Sequence, residues 1–88
     1  MTEQTIQKVG RIDQIVRDYF LTSDSKEVLA KDLMPLFIEK EIFIKDLREG
    51  LPIRNILRML DKENKLHLLK HVTVVRNTIN RNWYFKNI

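Results

Sequence analysis

The sequence predicts a small α+β domain in which three helices are followed by a C-terminal β-hairpin. Its 88 residues fit one domain rather than two. Apolar residues recur at helical spacing through most of the chain, whereas β-branched and aromatic residues dominate near its end. Glycine and proline occur only twice each, so few positions interrupt regular structure. We therefore expect residues 1–88 to form a single domain.

The first helix is predicted over about residues 4–21. Apolar side chains recur there at steps of three and four, which places them on one helical face. They are Ile6, Val9, Ile12, Val16, Tyr19 and Phe20. The polar stretch 22–25 then ends the pattern, because such side chains hydrogen-bond to nearby backbone and favour caps and turns.

The second element has two alternatives. A capping box formed by Asp24 and Glu27 would start a helix there. Alternatively, residues 26–29 form a short extended segment and the helix begins later. Pro35 favours the later start, because proline is tolerated in the first turn of a helix but disrupts its interior. We predict a helix over about 31–42.

The third helix has the clearest amphipathic pattern. Its apolar residues are spaced i, i+3, i+4 and i+7, and they are Ile53, Ile56, Leu57 and Leu60. Pro52 stands at the first helical position, which proline favours. The helix should end near Asn64, since asparagine tolerates the left-handed conformation. The polar side of the helix carries Arg54, Asn55, Arg58, Asp61, Lys62 and Lys65.

The C-terminal part of the chain can form two strands or a fourth helix. Residues 71–76 are rich in β-branched side chains, residues 77–80 resemble a turn, and residues 81–86 are rich in aromatic ones, a pattern typical of a hairpin. Apolar residues between 66 and 83 also recur at helical steps, which leaves a helix as the alternative. The hairpin is favoured, and it must pack on the helices because an isolated hairpin is marginally stable.

Charge is distributed unevenly along the chain, whose formal net charge is +4. Residues 1–44 carry six basic and eight acidic side chains, whereas residues 45–88 carry ten basic and four acidic ones. No acidic side chain follows Glu63. This asymmetry favours a polyanion or an acidic protein surface as the partner, although a solvated basic face would have the same composition.

The order helix, extended segment, helix, helix and hairpin resembles that of winged helix-turn-helix domains. The resemblance covers residues 9–86, with residues 27–33 leading into the second helix, residues 51–58 in the third, and residues 76–85 as the wing. The connection before the third helix is longer than in that family, and a proline stands in the second helix. The resemblance rests on this pattern rather than on a diagnostic motif.

The resemblance implies a regulatory module that binds double-stranded DNA, with the third helix in the major groove. Base edges would be read by Arg54, Asn55 and Arg58, because arginine pairs bidentately with guanine and asparagine with adenine. Phosphate would be contacted by Lys62 and Lys65. The wing would contribute Arg76, Asn77, Asn80, Arg81 and Asn82. A second copy is a further expected partner, since DNA readers often dimerise.

A protein-interaction module is the alternative, because winged helices also serve as docking domains. As the alternative to DNA contact, Arg54 and Arg58 pair with Asp61 and its neighbours on a solvated helix face, and the asparagines of the hairpin only form turns. An exposed apolar stripe at Ile38 and Ile42–Ile44, or an uncovered first helix, would favour a protein partner or a dimer. A basic surface shared by the third helix and the hairpin would favour nucleic acid. Trp83 and Phe85 are expected in the core in either case.

The sequence predicts neither an enzyme nor a cofactor or metal site. The chain has no cysteine, which excludes disulfides and thiolate ligands. His67 and His71 are four residues apart, but no third ligand completes a recognised metal motif. The sequence shows neither the spacing of a catalytic triad nor a glycine-rich phosphate loop. Without an apolar run of about 18 residues or a signal-peptide pattern, we expect a cytoplasmic protein with no membrane partner.

Overall fold

The computed structural model describes residues 2–77 and 82–87. Within them the chain forms three α-helices and a three-stranded antiparallel sheet, which confirms the predicted α+β class. The helices are α1 (Glu3–Thr22), α2 (Met34–Glu39) and α3 (Leu51–Lys62). The strands are β1 (Glu27–Leu29), β2 (Val72–Arg76) and β3 (Trp83–Asn87). Short 3-10 helices lie at Ala30–Leu33 and Leu66–Leu68.

Helix α1 differs from its predicted range by one residue at each end. It begins at Glu3, where the hydroxyl of Thr2 accepts a hydrogen bond from the Thr5 N–H at 3.2 Å. This contact satisfies a backbone donor that the helix itself leaves free. The buried side chains of α1 are Val9, Ile12, Asp13, Val16 and Phe20. The helical spacing in the sequence therefore identified the face that packs on the core from Val9 onward, whereas the predicted Ile6 is 45% exposed because the first turns of α1 extend beyond the core.

Helix α2 is shorter than the predicted range 31–42. The chain first forms the 3-10 helix Ala30–Leu33, so Pro35 falls in the first turn of α2, where proline is tolerated. The helix ends at Glu39. Two residues later Glu41 adopts a φ of 63°, which a right-handed helix does not accommodate. The apolar pattern continues beyond this point, but its residues lie in a loop.

The sheet has the strand order β1–β3–β2. Its central strand pairs Phe85 with Val28 of β1 and with Val74 of β2. The extended alternative for residues 26–29 is thus confirmed, and strands replace the alternative fourth helix. Trp83 and Phe85 are buried, as predicted, while Tyr84 on the opposite face is partly exposed.

Helix α3 packs on the core through Ile53, Leu57 and Leu60, which are fully buried. Burial of side chains of this size stabilises a fold by about 1.5–3 kcal/mol each. The helix ends at Lys62, just before Asn64 adopts a φ of 57°. The left-handed asparagine predicted as its terminator is therefore present.

A buried carboxylate links α1 to the start of β2. Asp13 is only 3% exposed, and its Oδ1 accepts a hydrogen bond from the His71 backbone N–H at 2.8 Å. The Nδ1 of the same histidine lies 2.6 Å from Asp13 Oδ2. Because a buried carboxylate is unfavourable unless it is hydrogen-bonded, this pair fixes where the hairpin joins the first helix.

Candidate nucleic-acid interface

Helix α3 exposes some of the residues that the sequence predicts to contact DNA. Its apolar face lies in the core, so Asn55, Arg58 and Lys62 are exposed on the other side. Among residues 2–77 and 82–87, Arg58 takes part in no ion pair, including the alternative pair with Asp61. The Arg58 guanidinium can therefore reach a ligand without breaking a contact within the described part of the chain.

Arg54, one turn earlier, is engaged by the loop before the helix. Its Nη2 donates to the carbonyl of Arg48 at 2.9 Å and its Nη1 to the carbonyl of Glu49 at 3.2 Å. Its Nε is buried and makes no hydrogen bond within the described residues. Arg54 is half-buried, and its guanidinium holds loop carbonyls in place.

The loop that Arg54 holds is a left-handed turn. Arg48, Glu49 and Gly50 have φ values of 49°, 50° and 96° in succession. The N–H of Gly50 donates to Asp46 Oδ1 at 2.7 Å. A Cβ added at Gly50 would lie 2.5 Å from the Cβ of Lys31, closer than packed carbon atoms approach. Both the backbone conformation and this close approach require glycine where α3 begins.

Trp83, at the turn end of the β2–β3 hairpin, lies near the first turn of α3. The guanidinium carbon of Arg76 lies 5.6 Å from the Trp83 ring centroid, a cation–π geometry. Trp83 in turn lines a small hollow together with Arg54 and Asn82. The N–H of Asn77 donates to the carbonyl of Asn82 at 2.8 Å, which closes the described part of the hairpin. Two of the predicted basic residues, Arg54 and Arg76, thus lie close to the same tryptophan.

Three further residues that were predicted to contact DNA are Lys65, Asn80 and Arg81. Lys65 is half-buried, and its Nζ lies 3.8 Å from Glu63 Oε1. Asn80 and Arg81, predicted on the wing, lie outside the described residues.

The connection between α2 and α3 contributes basic residues that the sequence reasoning missed. Lys45 and Arg48 are exposed there, and the Arg48 carbonyl is bound by Arg54. Both residues belong to the positively charged half of the chain, residues 45–88, and this charge is the feature of the sequence that could have identified them. Their association with α3 depends on the left-handed turn, which neither charge nor periodicity encodes.

Within the part of the chain that the structure describes, no cluster of three or more His, Asp or Glu side chains is arranged to hold a metal ion. His67 lies in the 3-10 helix Leu66–Leu68, while His71 contacts Asp13, so the two histidines do not share a helix. Of the described helices, none combines the length and apolar character needed to cross a membrane.

Comparison with known proteins finds no matching family model, no similar curated protein and no similar solved structure. Arguments about function therefore rest on the geometry of this chain.

Proposed function

We propose that this protein is a winged-helix DNA-binding domain, with α3 in the major groove and the β2–β3 hairpin as the wing. The element order α1, β1, α2, α3, β2, β3 supports the proposal, since it is the order of the family that the sequence resembles. The charge of the second half of the chain also supports it, because phosphate contacts supply much of the affinity for DNA.

The position of Trp83 is the observation that carries the proposal. Trp83 packs against Arg76 at the turn end of the hairpin and lines a hollow together with Arg54 of α3. The exposed side of that helix then presents Asn55 and Arg58, two side-chain types that pair bidentately with base edges. A helix and a hairpin that meet in this way can contact adjacent parts of one duplex.

The residues of the proposed interface divide into three roles. Asn55 and Arg58 read base edges, while Lys62 contacts phosphate. Arg54 is a positioning residue, because its guanidinium fixes the turn that leads into α3. Arg76 contacts the phosphate backbone of the DNA next to the wing.

Fluorescence anisotropy of a labelled random DNA duplex, titrated with the protein at low and moderate salt, tests the proposal. Non-specific binding of this kind has a Kd of about 1–100 μM at physiological salt and weakens steeply as salt rises. We expect binding in that range with a clear salt dependence. Absence of binding at low salt, for a protein whose circular dichroism shows it to be folded, would contradict the proposal.

A docking module for another protein is the second candidate. Ile44 is 96% exposed in the connection before α3, and Leu21 is 74% exposed at the end of α1. The exposed apolar stripe that would favour a protein partner does not form, because Ile42 is buried and both Ile38 and Phe43 pack partly against the core. Ile44 and Leu47, which is 48% exposed, remain as exposed apolar side chains of the connection, and such scattered residues are common on protein surfaces.

A further inference from the structure

The side of α1 that faces away from the core is uncovered. A groove of about 540 Å³ runs along it, lined by Gln7, Gly10, Arg11, Gln14, Ile15 and Lys40. A second hollow of about 330 Å³ shares Ile15 and Lys40 with the first and extends past Tyr19 towards Leu36. Together they form a trough that follows α1 over most of its length. The outer face of α1 is formed by residues that line this trough, together with the exposed Leu21 near the end of the helix; they are Gln7, Gly10, Arg11, Gln14, Ile15, Asp18 and Leu21.

Gly10 leaves a gap in the outer face. A Cβ added there would meet no atom within 4 Å, so the glycine is not required by packing within this chain. Glycine is unfavourable inside a helix, yet it allows another element to approach the backbone closely. Leu21 has the opposite character, because it projects from the same helix with 74% of its surface exposed. The helix thus carries a gap and a protruding apolar side chain on one side of the outer face.

The charges on the outer face are also complementary. Arg11 and Asp18 are seven residues apart, which corresponds to about two turns on the same side of the helix. Each has a contact within its own chain: Arg11 Nη2 donates to the Lys40 carbonyl at 2.8 Å, and Arg17 Nη2 donates to Asp18 Oδ1 at 3.3 Å. Because these groups are exposed, their other donor and acceptor positions remain accessible to a partner.

We propose that the outer face of α1 binds the same face of a second copy in an antiparallel arrangement. A two-fold axis passing between Gln14 and Ile15 places Arg11 of each copy opposite Asp18 of the other. The same axis places Leu21 of each copy opposite Lys8, two residues along the helix from the gap at Gly10. Both contacts occur twice, as an interface between identical surfaces requires. The proposal goes beyond DNA binding and does not depend on it.

Sedimentation velocity of the full chain over a range of concentrations tests whether the dimer exists. We expect a reversible dimer that the substitution Asp18→Lys weakens about tenfold, since two attractive ion pairs become repulsive. The matched control is Asp24→Lys, which makes the same charge change at an exposed position outside the outer face. Adding Arg11→Glu to Asp18→Lys should restore association. A folded wild type that is monomeric up to about 1 mM would overturn the proposal, as would equal effects of the two lysine substitutions.

A cysteine crosslink tests the position of the axis. The chain contains no cysteine, so a single introduced thiol reports on its own site alone. Mild oxidation of Gln14→Cys should give a disulfide-linked dimer, because this residue lies next to the proposed axis. Thr73→Cys, at an exposed position on the sheet, is the control and should remain monomeric under the same conditions. Crosslinking at residue 73 without crosslinking at residue 14 would place any dimer on another surface and overturn the proposal.

Discussion

The first two turns of α3 each carry an arginine, but the two side chains have different environments. Arg54 is half-buried and donates to two carbonyls of the preceding turn. Arg58 is exposed and has no ion-pair partner among the described residues. Because the left-handed turn lies beside the first turn of the helix only, it supplies acceptors to one arginine and not to the other.

This difference teaches that charge at helical spacing does not by itself define a binding surface. Both arginines lie on the polar side of the same amphipathic helix. Their environments diverge because the backbone before α3 points two carbonyl groups at Arg54. A basic side chain that already donates to backbone carbonyls contributes to stability, whereas one without a partner can contribute to binding.

Removal of the left-handed turn should have the largest effect. Gly50→Ala places a Cβ against Lys31 and forces a non-glycine residue to a φ of 96°. We expect the free energy of unfolding to fall by about 3 kcal/mol, measured by urea denaturation. Gly10→Ala is the matched control: its Cβ meets no neighbour, so it should stabilise the helix by up to about 1 kcal/mol. Equal effects of the two substitutions would contradict the role assigned to the turn.

Loss of the Arg54 guanidinium should have a smaller effect on stability. Arg54→Ala removes two hydrogen bonds to exposed loop carbonyls, which water can then solvate, so we expect a loss of about 1 kcal/mol in the free energy of unfolding. Arg54→Lys should recover only part of this, because one ammonium group cannot reproduce the planar arginine fork. Arg58→Ala serves as the comparison and should change stability by at most about 0.5 kcal/mol. The comparison fails if Arg58→Ala destabilises the protein as much as Arg54→Ala.

Among the basic residues of α3, Lys62 should have the smallest effect. Its exposed ammonium is proposed to contact phosphate and not a base. Lys62→Ala should therefore weaken binding to all duplex sequences by a similar factor and leave stability unchanged, as measured by anisotropy on several unrelated duplexes. A loss confined to one sequence would instead assign Lys62 to base reading.

The fold was predictable wherever one face of an element is buried. The spacing of Ile53, Leu57 and Leu60 located α3, because these residues all pack into the core. The helix predicted over 31–42 was too long, because the periodicity of apolar residues does not reveal that Glu41 adopts a left-handed backbone conformation. Hydrophobic spacing was also compatible with either strands or a helix in the C-terminal part of the chain. The strands form because β3 pairs with both β1 and β2, and spacing alone does not reveal that pairing.

The candidate site was predictable in composition but not in arrangement. The sequence identified the basic and amide side chains of α3 and of the hairpin. It could not assign Arg54 to the loop, because that contact requires three successive left-handed residues. Asp13 interrupts the apolar face of α1 in the sequence, but its partner His71 lies 58 residues away and carries no local signal.

The salt dependence of DNA binding by two single substitutions tests the central claim most directly. Lys62→Ala removes an exposed charge from α3, whereas Lys26→Ala removes one beside the end of the sheet that is remote from the hairpin turn. If α3 binds DNA, Lys62→Ala should weaken binding to a random duplex and reduce the slope of log Kd against log salt by up to about 1. Lys26→Ala should match the wild type. Equal slopes for both variants and the wild type would contradict the assignment of α3 as the DNA-binding helix.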